Sequence, residues 1–137
     1  MFEYCEHDLA TILKNIKQPF TESEAKTIIS QLLSALAHLH AHWMVHRDIK
    51  PSNLLYNFRG EVKLADFGLC RTLPYPEPQP NNLTPGVVTL YYRSPEILLA
   101  SPSYDYKIDI WSVGCLLGEL LLNPNRPLIA GWLGLVF

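Results

Sequence analysis

From residue 25 onward, apolar side chains recur at intervals of three and four: Ala25, Ile28, Ile29, Leu32, Leu33, Leu36 and Leu39. On an α-helix that spacing makes one broad apolar stripe. Thr21 and Glu24 stand just ahead with the spacing of a capping box, in which each side chain satisfies backbone N–H groups at the helix start. The pattern predicts a helix over residues 20–40. Lys50-Pro51 bars a helical continuation, because the residue before proline is driven toward extended geometry. Leu54-Leu55-Tyr56 and Val62-Lys63-Leu64 read as short strands around Asn57-Phe58-Arg59-Gly60, a hairpin with glycine supplying the turn. A second helix is predicted over residues 105–122. Ile108, Ile110, Trp111, Val113, Cys115, Leu116, Leu117, Leu120 and Leu121 make it apolar on nearly all sides, so it belongs in the middle of a domain.

Between hairpin and second helix, residues 72–85 change character. Pro74, Pro76, Pro78, Pro80 and Pro85 alternate with polar residues, which removes backbone donors and apolar periodicity and predicts an exposed, mobile loop. No PxxP docking consensus is clear enough to make this a recognition peptide. Residues 128–137 are an apolar, featureless tail, and too little chain follows the second helix to cover it. Met1-Phe2-Glu3-Tyr4 reads as the interior of a domain. The expectation is a mainly α fold with a short β-hairpin, incomplete at both ends.

Composition narrows the partners. With 48% hydrophobic and 18% charged residues, the 137-residue chain is globular rather than disordered. A net charge of −2 carries no basic field for nucleic acid or an anionic membrane. Cys5, Cys70 and Cys115 are scattered, with no CxxC pair, which suits buried free thiols in a reducing compartment. Glu3, Glu6 and Asp8 stand where a signal peptide would be basic and then apolar. The most apolar stretch, residues 108–122, contains Asp109 and Glu119 and falls short of the roughly 20 residues that span a bilayer. Nucleus or cytoplasm is the expected location.

Chemistry concentrates in His46-Arg47-Asp48-Ile49-Lys50-Pro51-Ser52-Asn53. Phosphoryl transfer to a hydroxyl needs a carboxylate to orient the hydroxyl and accept its proton, a cation on the transferring phosphate, and ligands for magnesium. Asp48, Lys50 and Asn53 are those groups in one loop, spaced as HRDxxxxN. Thirteen residues after Asn53 comes Asp66-Phe67-Gly68, whose carboxylate is a hard oxygen donor for a hard ion. A lone Asp-Phe-Gly arises often by chance; the ordered set of loop, hairpin and tripeptide does not. His38, His40, His42 and His46 crowd into nine residues, and His38 and His42 share a helical face. No carboxylate or thiolate stands nearby to complete a site of about four ligands, so a structural role is preferred over a metal.

These motifs resemble the eukaryotic protein kinases. Residues 87–96, Val-Val-Thr-Leu-Tyr-Tyr-Arg-Ser-Pro-Glu, resemble the end of a kinase activation segment, with Ser94 in place of the usual alanine. Asp109-Ile110-Trp111-Ser112-Val113-Gly114 resembles the start of the central helix of the large lobe. The resemblance implies the C-terminal lobe of the kinase fold over residues 1–127: hinge 2–9, catalytic loop 46–53, activation segment 66–96 and central helix 105–122. It implies ATP and Mg2+ as cofactors, with Asp48, Lys50 and Asn53 catalytic and Asn53 and Asp66 on the metal. Phe2 matches the gatekeeper, the backbone of Glu3 and Cys5 would meet adenine, Asp8 would reach the ribose, and Leu55 would floor the adenine site. Thr89, Glu96 and Asp109 match structural positions, Asp109 as anchor of the catalytic-loop backbone.

Phe-Glu-Tyr-Cys-Glu-His-Asp-Leu at residues 2–9 and Val-Val-Thr-Leu-Tyr-Tyr-Arg-Ser-Pro-Glu-Ile-Leu-Leu at residues 87–99 resemble the cyclin-dependent kinases, most closely the branch of the PITSLRE kinases. That likeness implies proline-directed phosphorylation of protein Ser/Thr and a cyclin partner. Thr84 matches the activation phosphosite, and Arg47 and Arg71 match two of its arginine partners. The 137 residues contain no glycine-rich loop, no strand lysine and no partner helix glutamate, the groups that position ATP phosphates. The chain by itself is therefore expected to be inactive. A non-catalytic product that binds partners as a decoy is the alternative. It would expose the apolar faces of both helices and would have no need of Asp48, Lys50, Asn53 and Asp66 together.

Overall fold

The computed structural model describes residues 4–73, 90–99, 101, 103–122 and 127–129. Helix α2, Glu22–Ala41, begins at the expected box: the Thr21 hydroxyl accepts the Glu24 N–H at 3.3 Å, and Glu24 Oε2 accepts the Thr21 N–H at 2.8 Å. Its buried stripe is Ala25, Ile28, Ile29, Leu32, Leu36 and Leu39. Leu33, counted in the stripe by spacing, lies on its exposed edge. Ahead of it stand β1, His7–Asp8, and a short helix α1, Leu9–Asn15, which the hydrophobic pattern did not single out. Leu9 and Leu13, four apart, are buried, and Asp8 caps the helix.

The hairpin forms at the expected residues. Strands β3, Leu54–Tyr56, and β4, Val62–Leu64, pair antiparallel with Leu55 opposite Lys63. Gly60 takes φ 79°, a left-handed conformation that side chains resist. Asn57 Oδ1 accepts the N–H groups of Arg59 and Glu61 at 3.0 Å each, closing the turn from inside. β1 adds on the other side of β3, which sets Asp8 opposite Leu55 in a three-stranded sheet ordered β1-β3-β4. Gln31 of α2 clamps this sheet to the helix: its Nε2 donates to Gly60 O at 3.0 Å and its Oε1 accepts Val62 N–H at 2.9 Å. A second, two-stranded pairing joins β2, Met44–Val45, to β5, Arg71–Thr72, so Thr72 belongs to a strand rather than to the loop expected from residue 72.

Helix α4, Lys107–Leu122, packs on α2, and Phe20 N–H donates to Leu120 O at 3.1 Å. Leu32, Leu36, Leu116 and Leu120 sit together in the main core with Leu9, Leu13, Ile49 and Leu54. Sequence placed α4 in the middle of a domain with too little chain after it to cover it; among the described residues one face is buried and the other is open. Ile110, Trp111 and Leu122 are 43%, 42% and 70% exposed, because α2 and the segment ending in α3, Pro95–Leu98, approach from the opposite side. No helix of the described residues is long and apolar enough to cross a membrane. Residues 74–89 and 130–137, which include most of the proline-rich loop and tail, lie outside the described residues.

Replacing Gln31 by Leu keeps the bulk but leaves Val62 N–H and Gly60 O unpaired. The variant is expected to lose about 1–3 kcal/mol of stability, measured by urea unfolding. Wild-type stability would show that water replaces the clamp at no cost.

Candidate active site

The loop at residues 46–53 is suspended from α4. Asp109, 1% exposed, accepts Arg47 N–H on Oδ1 and His46 N–H on Oδ2, both at 2.9 Å. Oδ2 also takes a hydrogen bond from His40 Nε2 of α2 at 2.9 Å. Bonds to an ionised acceptor are worth about 1.5–3 kcal/mol each, and a buried carboxylate needs several of them to offset its lost hydration. Arg47 meanwhile adopts φ 70°, an unfavourable region for a side-chain-bearing residue. The bond from its own N–H to Asp109 falls at this strained position.

Past that bend, Asp48 is nearly buried. Its Oδ2 accepts Lys50 Nζ at 2.8 Å and Asn53 Nδ2 at 3.0 Å. Asn53 Nδ2 also donates to Asp48 O at 2.8 Å, so both amide protons are committed inward and Oδ1 is the atom left for a cation. The sequence-expected trio thus meets in one place.

Asp66 joins it through the hairpin. Ala65 N–H donates to Asn53 O at 2.9 Å, and His46 Nε2 donates to Ala65 O at 3.1 Å. Phe67 sets its ring edge-on to His46 at 5.2 Å. Asp66 is exposed with φ 62°, and its Oδ1 accepts Gly68 N–H at 3.3 Å. A Cβ on Gly68 would come within 3.2 Å of that oxygen, a crowding that glycine avoids. An exposed carboxylate and an uncommitted amide oxygen, on loops tied together by the Ala65–Asn53 backbone bond, are hard-oxygen donors of the kind that fits magnesium, which binds through one or two carboxylates and keeps several waters.

His46 itself is fully buried, with both ring nitrogens used. Nδ1 accepts Asp48 N–H at 3.3 Å, so the neutral ring must carry its proton on Nε2 for Ala65. Burial lowers its pKa below the ordinary imidazole value, against the Ala65 carbonyl and the charges of Asp109, Asp48 and Asp66.

Other expected residues are placed less directly. Asp8 already accepts Thr11 N–H and Thr11 Oγ1 at 2.8 and 2.7 Å, so a ribose contact would share those oxygens. Leu55 faces Asp8 across the sheet, and Cys5 is half-buried just before β1. Arg47 Nη1 donates to Tyr104 Oη at 2.9 Å, while Arg71 is exposed in β5. Glu96 is exposed in the first turn of α3, beside Tyr104 and Asp105 in a cavity of about 280 Å³. Phe2, Glu3, Thr84 and Thr89 lie outside the described residues.

Sequence reasoning missed His40 as a partner of Asp109, and it missed Tyr92 and Glu119. Tyr92 Oη donates to Glu119 Oε2 at 2.6 Å, and Ser112 Oγ donates to Tyr92 O at 2.6 Å, so α4 also grips the segment before α3. Burial raises the pKa of Glu119, with the Tyr92 bond acting the other way, and burial raises Tyr92 as well. A glutamate inside an apolar run was the available signal. Ser94, where the resemblance has alanine, is 1% exposed, and its Oγ has no hydrogen-bond partner among the described residues.

Two outcomes follow from these environments. An unfolded histidine titrates near 6.5, whereas folded His46 binds its proton only at lower pH. Its contribution is complete above that value and is lost as pH falls, because the unfolded chain then takes up a proton that the folded one refuses. Stability should decline from about pH 6.5 downward by up to about 1.4 kcal/mol per pH unit from this group. Urea unfolding at pH 8 to 5.5 checks it, with a shallower decline expected for His46→Gln. Ser94→Ala removes a desolvated hydroxyl and should raise stability by about 1 kcal/mol, read as a higher thermal midpoint; a drop would reveal a partner for Oγ.

Comparison with known proteins bears on the same residues. The family model described as "Protein kinase domain" matches residues 1–128. Over 131 residues, 96% of the chain, it is 52% identical to probable cyclin-dependent kinase 10 of Dictyostelium discoideum, of which that stretch is 34%. Over the same length it is 53% identical to serine/threonine-protein kinase ppk23 of Schizosaccharomyces pombe, covering 32% of that protein. It is 47% identical to mouse cyclin-dependent kinase 11B, covering 16%. The chain therefore spans about a third or less of the length of these relatives. With the family model running from the segment before β1 past the end of α4, through every loop that meets at Asp48, the chain belongs to the protein kinase domain family.

Proposed function

We propose that this chain supplies the phosphoryl-transfer loops, within the C-terminal lobe, of a cyclin-dependent-type serine/threonine kinase acting on Ser-Pro and Thr-Pro sites in proteins. The observation that carries the reading is the Asp48 carboxylate, with Lys50 Nζ at 2.8 Å and Asn53 Nδ2 at 3.0 Å on one oxygen. The other oxygen, Oδ1, is left to orient a substrate hydroxyl. As the hydroxyl oxygen forms its bond to the γ-phosphorus and the bridging P–O bond to ADP breaks, Asp48 takes up the hydroxyl proton. Lys50 balances the carboxylate and offers its charge to the phosphate in transit.

Mg2+ bound by Asn53 and Asp66 would neutralise charge building on the phosphate oxygens. For ATP itself, the backbone of Glu3 and Cys5 would meet adenine, with Phe2 as gatekeeper, Leu55 below the ring and Asp8 near the ribose. Thr84 is the proposed activating phosphosite, with Arg47 and Arg71 as its cationic partners. Arg47 would have to share or give up Tyr104 to serve it. A cyclin is the proposed partner, and the nucleus or cytoplasm the proposed location. The names of the relatives support the subclass.

The 137-residue chain mixed with MgATP and a Ser-Pro peptide is expected to give no turnover above its Asp66→Asn variant. Joined to the upstream part of a relative's catalytic domain, the same residues should phosphorylate the peptide. There Asp48→Asn should reduce kcat about 10²–10⁴-fold with little change in peptide KM. Turnover by the bare chain would overturn its inactivity, and a chimera indifferent to Asp48→Asn would overturn the role of that carboxylate.

A further inference from the structure

His38 and His42 lie on the exposed side of the last turn of α2, four residues apart, and the phosphoryl-transfer loop uses neither. Their ring centroids are 4.5 Å apart with the planes tilted by 49°. His42 Nδ1 lies 2.7 Å from His38 O. A carbonyl can only accept, so Nδ1 carries the proton and Nε2 of neutral His42 presents a lone pair. This is the arrangement by which metal-binding histidines are oriented, the second ring nitrogen donating to a backbone carbonyl. The pair also stands at a helix C-terminus, where backbone carbonyls favour a cation.

We propose that His38 and His42 form a two-imidazole site for a divalent transition ion, Ni2+ or Cu2+, in place of the structural role expected from sequence. Two neutral imidazole nitrogens suit such ions, and Cu2+ and Ni2+ bind nitrogen donors more tightly than Mn2+, Fe2+ or Co2+. The two rings stand next to each other on one side of the helix end. Water would fill the remaining positions, so the site is open and exchangeable. Among the described residues no group of three or more His, Cys, Asp or Glu is placed to hold a metal, which leaves the imidazole pair as the whole protein contribution. Since His42 is the C-cap of α2 and Trp43 and β2 follow at once, an ion there would pin the end of α2 where the chain turns toward the catalytic loop.

Ni2+ is the probe, because Cu2+ would oxidise the free thiols of Cys5 and Cys70. Calorimetric titration of the 137-residue chain should show one equivalent of Ni2+ bound. His38→Gln and His42→Gln should each weaken binding at least tenfold, while His7→Gln, at an exposed histidine in β1, should leave it unchanged. Saturating Ni2+ should also raise the thermal unfolding midpoint of wild type and neither helix variant, since only the folded helix brings the rings together. Equal binding by wild type and the His38→Gln/His42→Gln double variant would overturn the site. Binding without any rise in midpoint would overturn its placement on the folded helix.

Discussion

Asp109 is a charge placed where water does not reach, and the candidate site hangs from it. Its two oxygens take the N–H groups of His46 and Arg47 and the imidazole of His40. A carboxylate buried without partners would cost several kcal/mol, so the helix that carries it and the loop that satisfies it are mutually obligatory. The position in the first turn of α4 helps, since backbone N–H groups there favour a negative charge. The direction of dependence is clear from Arg47: a residue at φ 70° needs an external bond to stay there, and Asp109 supplies it. The bend at Arg47 then brings Asp48, Lys50 and Asn53 into register.

The rest of the architecture conveys that anchor to a second loop. The hairpin returns the chain so that Ala65 bridges Asn53 and His46, and Asp66 emerges one residue later. Gln31 ties the hairpin to α2, and α2 is itself bound to α4 by their shared leucine core. His46 is the joint between the loops, touching Asp48 through one nitrogen, Ala65 through the other and Phe67 through its ring face. Its burial makes that joint dependent on a neutral imidazole.

Much of this was legible beforehand. Thr21 and Glu24 marked the start of α2 because a capping box is a local arrangement that needs no distant partner. Leu54–Tyr56 and Val62–Leu64 were readable strands because the turn chemistry between them is equally local. The two-residue strands β1, β2 and β5 were not, since so short a segment has no periodicity and exists only by pairing with a remote one. Which side of α4 stays exposed was not readable for a related reason: hydrophobicity says what a face prefers, and the packing partners decide what covers it.

The sequence by itself determined the chemical inventory: which carboxylates, lysine and amide stand at which spacing, and which helices and hairpin carry them. It also determined the family, because an ordered set of motifs survives without coordinates. Tertiary structure alone decided how those groups are held. That Asp109 spends one oxygen on both His40 and His46, that Tyr92 meets Glu119, and that Arg47 turns its guanidinium to Tyr104 are facts about residues 27 to 69 positions apart. Such pairings arise when separate elements are packed against one another and each buried polar atom must find a partner, a requirement that no local pattern records.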